Sequence, residues 1–82
     1  MIILNEDTYA SLANITVLLK RSEASQMISY LEELLLNNKQ NKHFHLNNEN
    51  YSKEITLALY DYPEDIEGFA QEIIDHVLSV AG

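Results

Sequence analysis

Apolar positions along this chain follow two periods in turn. Short β-branched or alternating runs come first in each half, and stripes with helical spacing follow. Ile15-Thr16-Val17-Leu18-Leu19-Lys20 predicts a strand, with Ile15, Val17 and Leu19 on one face and Thr16, Leu18 and Lys20 on the other. Met1 to about Asn5 predicts a shorter strand before it, with a polar loop between them. From about Ser22, Ala24, Met27, Ile28, Leu31, Leu34 and Leu35 recur as one helical stripe. Ser22 is a suitable N-cap, and Asn37-Asn38, which tolerates the left-handed conformation, suits the end. Lys39 and Lys42 then sit near the negative end of the helix dipole.

The second half repeats the scheme. His43 to Asn47 predicts a strand with Phe44 and Leu46 alternating against His43 and His45, and Asn48 to Lys53 predicts a polar hairpin loop. Ile55 to Tyr60 predicts the next strand, with Ile55, Leu57 and Leu59 inward and Thr56, Ala58 and Tyr60 outward. Asp61 and Glu64 are spaced as a capping pair, and Pro63 suits a first helical turn because its missing N–H costs nothing there. A helix through Ile66, Phe69, Ala70, Ile73, Ile74 and Val77 follows, with Gly68 inside it on the polar side.

The two halves also echo each other residue by residue. Met1-Ile2-Ile3-Leu4-Asn5-Glu6-Asp7-Thr8-Tyr9 is matched by His43-Phe44-His45-Leu46-Asn47-Asn48-Glu49-Asn50-Tyr51, and Ile15–Leu19 by Ile55–Leu59. Two hairpins, each followed by a helix, predict an α+β fold in ββαββα order with a pseudo-twofold repeat. The sheet would be four-stranded and mainly antiparallel, with both helices on one face. The 82 residues suit a single domain, with repeat-like halves 1–38 and 43–81.

Composition narrows the function. A hydrophobic fraction of 46% is too high for a disordered chain. The absence of cysteine excludes disulfides and thiolate metal sites and is compatible with a reducing compartment. The start, Met1-Ile2-Ile3-Leu4 and then Asn5, Glu6 and Asp7, lacks the basic region and long apolar core of a signal peptide. No apolar run reaches membrane-spanning length, so a cytoplasmic protein without a membrane partner is expected.

The net charge is −8, from thirteen acids and five bases. Phosphate backbones are held by Lys and Arg, so a nucleic-acid partner is not expected. From Glu54 onward the charged residues are Glu54, Asp61, Glu64, Asp65, Glu67, Glu72 and Asp75, all acids. Such a field suits attraction to a basic protein partner; its other use is solubility. On the second helix Glu64, Glu72 and Asp75 would share the outer face, flanked at its start by Tyr60 and Tyr62, a residue type favoured at interfaces. Alternatively the acids are simply solvated.

The uncovered sheet face would hold Ile3, Thr16, Leu18, His43, His45, Thr56, Ala58 and Tyr60. It suits a homodimer contact or a partner site, or else is an ordinary solvated face. His43 and His45 point the same way, as two metal ligands would, but no third ligand is placed with them. His76 belongs to the other side of the sheet. No metal site or cofactor is expected. Catalytic residues are not expected either: there is no phosphate-binding Gly-rich loop, no Cys nucleophile and no glycine-flanked Ser.

Between Gln26 and Asp61 run Leu31-Glu32-Glu33-Leu34-Leu35, a polar turn, His43-Phe44-His45-Leu46, a polar hairpin, and Ser52-Lys53-Glu54-Ile55-Thr56-Leu57. This stretch, under half of the chain, resembles small bacterial immunity proteins, which neutralise toxins used in competition between bacteria. The resemblance implies a non-enzymatic inhibitor that binds one toxin tightly. Acidity would suit a nuclease-like toxin with a basic cleft. The residues expected at the contact are Tyr60, Tyr62, Glu64, Glu72, Asp75, His43 and His45.

Overall fold

A computed structural model describes residues 1–36 and 43–81. Its elements are α1 (Arg21–Leu35), β1 (His43–Asn47), β2 (Glu54–Ala58), a single 3-10 turn (Pro63–Ile66) and α2 (Gln71–Ala81). The sheet has two strands, β1 and β2, paired antiparallel. The α+β class holds, but the four-stranded ββαββα repeat does not form.

The first half departs from the expected hairpin because its polar residues bind their own backbone. Asn5 Oδ1 accepts the Asp7 N–H at 2.8 Å, and Thr8 Oγ1 accepts the Ala10 N–H at 3.2 Å. Such short side chains favour turns over ladders. The Asn5 N–H donates to the Ala10 carbonyl (2.9 Å) and the Leu12 N–H to the Ile3 carbonyl (2.8 Å). The chain therefore reverses early, and Leu4 makes one isolated bridge, to Ser11. Residues 15–20 are left without a strand partner, and all of them are exposed.

The second hairpin forms close to expectation. Phe44 pairs with Leu57, His45 with Thr56 and Leu46 with Ile55. Asn48 closes the loop: its Oδ1 accepts the Lys53 N–H at 3.0 Å and its Nδ2 donates to Ser52 Oγ at 3.0 Å. Tyr51 takes the left-handed conformation in this loop (φ 56°).

The N-cap of helix α1 lies two residues before the expected Ser22. Lys20 is the N-cap, and Glu23 Oε1 accepts the Lys20 N–H at 2.8 Å, the reaching-back half of a capping box. The expected ending at Asn37-Asn38, with Lys39 and Lys42, lies outside the described residues. The helix packs across both strands. The Tyr30 ring stacks on Phe44 with centroids 4.6 Å apart and planes within 9°. A two-stranded sheet covers only a narrow face of the helix, so the expected stripe divides. Leu34 is buried and Ala24 and Met27 are half-buried, whereas Ile28, Leu31 and Leu35 are exposed.

The single second helix is also corrected. Pro63 opens a 3-10 turn whose N-cap is Tyr62, not Asp61, and Asp65 Oδ2 accepts the Tyr62 N–H at 3.0 Å. Gly68 then takes φ +88°, which terminates the turn, and α2 begins at Gln71. The break carries Phe69 to His43, with ring centroids 5.3 Å apart. His43 and Phe44 point to opposite faces of β1. Phe69 and Tyr30 therefore lie on opposite faces, and the arrangement with both helical segments on one face is not formed.

The core is correspondingly small. Among the described residues Leu34, Leu46 and Val77 are the buried hydrophobic ones. On the Phe69 side, Ile2, Leu4, Ala58, Ile73 and Val77 surround a small apolar cavity of about 150 Å³. The N-terminal segment is held there by two contacts. The Met1 ammonium donates to Tyr60 Oη at 3.0 Å, and His76 Nε2 lies 2.8 Å from the Tyr9 carbonyl oxygen.

Candidate functional site

The residues expected at a partner contact fall into two groups. His43 and His45 do share a face of β1, with ring centroids 4.9 Å apart and edge-on. Both rings are exposed on that face, with Phe69 beside His43, and Thr56 and Ala58 also line the apolar cavity. His45 Nδ1 lies 3.0 Å from Thr56 Oγ1 and 3.3 Å from Glu54 Oε1, so an Nδ1–H has two acceptors. Glu54 joins this face because β2 begins one residue before the expected Ile55. Its alternation with Thr56 and Ala58 was the available signal. Among the described residues no three His, Asp or Glu side chains are disposed to hold a metal ion.

The acidic group is spread along two elements. Glu64 belongs to the 3-10 turn, while Glu72 and Asp75 belong to α2, so the three do not share one helix face. All three are exposed, as is Asp61. Gln71 Nε2 donates to Asp75 Oδ1 at 2.8 Å, one turn along α2. Tyr62 stands 69% exposed at the start of this stretch. Tyr60 is half-buried, with its hydroxyl engaged by the Met1 ammonium. His76 is half-buried and turns toward the Tyr9 carbonyl.

Two further depressions were not visible in the sequence. A polar cleft of about 320 Å³ separates the first turns of α1 from the outer side of β1, with Gln26, Tyr30, His45 and Tyr51 on its walls. Lys20 Nζ and Glu49 Oε1 meet there at 2.7 Å. Hydrogen bonding and charge attraction between them raise the Lys20 ammonium above its ordinary value and hold the Glu49 carboxyl below its own. Beside it, residues 16–20 and the loop end of the hairpin border an open groove of about 960 Å³. Val17, Leu18 and Leu19 all line this groove, and Leu18 is the most exposed of the three, at 90%.

Comparison with protein-family models, curated proteins and solved structures finds no match to this chain. Among the described residues no helix is long and apolar enough to cross a membrane.

Proposed function

We propose that this chain is a non-enzymatic, acidic protein-binding module whose partner is a basic protein. The concrete candidate is a nuclease-like toxin of the kind neutralised by the immunity proteins that residues 26–61 resemble. The observation that carries this reading is the exposure of Glu64, Glu72 and Asp75 beside the protruding Tyr62, in a stretch that has no Lys or Arg. An acidic surface of one sign accelerates encounter with a basic cleft and rejects acidic competitors. An exposed tyrosine supplies a rigid amphipathic anchor beside it. The test is co-expression with the protein encoded beside this chain, followed by co-purification at low and high salt. The expected result is a complex with a basic protein, loss of that protein's toxicity, and weaker binding when Glu64→Lys, Glu72→Lys and Asp75→Lys are combined. No basic partner at low salt, or a complex indifferent to the three reversals, would overturn the reading.

A further inference from the structure

His43 and His45 carry chemistry that the acidic stretch does not involve. They lie two apart on β1, so their imidazoles leave the same face of the hairpin, and both are exposed. Imidazole is a good ligand for divalent copper, nickel and zinc. Two imidazoles bound to one such ion at about 2.0–2.1 Å, with about 90–110° between the bonds, have ring centres roughly 4.5–5.3 Å apart. The His43 and His45 rings stand 4.9 Å apart, edge-on. The strand therefore already sets the spacing that a shared ion requires. Exposed rings can turn about their side-chain torsions to meet it without moving the backbone.

Glu54 supplies the second observation. Its Oε1 lies 3.3 Å from His45 Nδ1, and Thr56 Oγ1 lies 3.0 Å from the same nitrogen. A carboxylate only accepts, so the proton is held on Nδ1 and a lone pair is left on Nε2. Metal-binding histidines ordinarily carry this support. A carboxylate on one ring nitrogen fixes the tautomer, orients the ring and makes the other nitrogen a better ligand. Phe69, with its ring centre 5.3 Å from that of His43, flanks the pair with apolar surface. Among the described residues no third His, Asp or Glu completes a ligand set. That limits the affinity and leaves the other positions to water.

We propose that His43 and His45 together bind one divalent transition-metal ion, copper(II) in preference to nickel or zinc, with Glu54 orienting His45. The order follows from the general preference of nitrogen ligands for copper. Magnesium and calcium take oxygen ligands and are not held there. They separate this site from the diffuse attraction of any divalent cation to a chain of net charge −8.

Titration of the full chain with zinc alone or copper(II) alone, read from the histidine ring resonances, tests the proposal. Zinc should shift the His43 and His45 resonances together, and copper should broaden them. His76, engaged with the Tyr9 carbonyl, should stay unchanged. Excess magnesium should not reverse the effect. Glu54→Gln should weaken copper binding at least about tenfold, and His43→Ala combined with His45→Ala should abolish it. The ring resonances are read on the unaltered chain, so that result does not depend on how the variants fold. Unmoved His43 and His45 resonances, an equal response from His76, or reversal by magnesium would each overturn the proposal. So would copper binding that is indifferent to Glu54→Gln or retained without the two histidines. None of these outcomes bears on Glu64, Glu72 and Asp75, on which the basic partner rests.

Discussion

His76 Nε2 lies 2.8 Å from the carbonyl oxygen of Tyr9, 67 residues away in the chain. A carbonyl only accepts, so Nε2 carries the proton and donates. Tyr9 itself holds a left-handed backbone (φ 59°), in the turn that replaces the expected first hairpin. The contact ties that turn to α2. His76→Phe keeps the ring and removes the donor, and it should lower stability by about 1 kcal/mol. Urea unfolding followed by circular dichroism measures this; an unchanged midpoint would show that the contact contributes nothing.

Gly68 gives a prediction whose sign separates a broken helix from a continuous one. In a continuous helix, Gly68→Ala would add about 1 kcal/mol of stability. Here Gly68 has φ +88° with nothing within 4 Å of an added Cβ. Space is not the obstacle; backbone conformation is. Gly68→Ala should therefore destabilise the protein by about 1–2 kcal/mol. A higher melting temperature for the variant would contradict the break at this position.

Leu46 and Ile28 are apolar residues with opposite fates. Leu46 is 3% exposed under α1, and Ile28 is exposed on the outer side of that helix. Leu46→Ala should cost about 2–4 kcal/mol through lost burial and the cavity left behind. That is a large share of the total for a chain of this size. Ile28→Ala should change stability by less than about 0.5 kcal/mol. Paired denaturant titrations would show the contrast, and equal effects would rule out this placement of α1.

Lys20 and Glu49 set a pH window. The Glu49 carboxyl is held below its ordinary value when folded, so its contribution is present above the unfolded value and lost as pH falls through the folded one. The Lys20 ammonium is raised, so its contribution is present below its unfolded value and lost as pH rises through the folded one. The pair should support the start of α1 at neutral pH and at neither extreme. Both groups are exposed, so about 1 M salt should abolish the effect. Comparing Glu49→Gln with the unaltered chain across pH, with and without salt, checks this; a difference that grows toward low pH would have the wrong sign.

Legibility in the sequence was uneven, and the reason differs by element. The hairpin from His43 to Ala58 was readable because its alternation and its Asn48–Lys53 loop are local signals that agree. The exposure of Glu64, Glu72 and Asp75 was readable too, since isolated acids on a helical pattern face water. Residues 15–20 were misread because β-branched composition states a preference for a strand without supplying a partner. The turn at Asn5–Ala10 took the backbone groups that the first strand would have offered. The echo between the halves promised a repeat, yet Gly68 and Pro63 in the second half have no equivalents in the first.

From the sequence alone came the class, the net charge and the acidic stretch, the second hairpin, and the presence of two helical segments. These depend on composition and on interactions within a few residues. Only the tertiary structure decided how many strands join the sheet, which faces the helical segments cover, that Glu54 reaches His45, and that Leu18 lines an open groove. Those features depend on which distant groups find one another, and short-range periodicity carries no record of that competition.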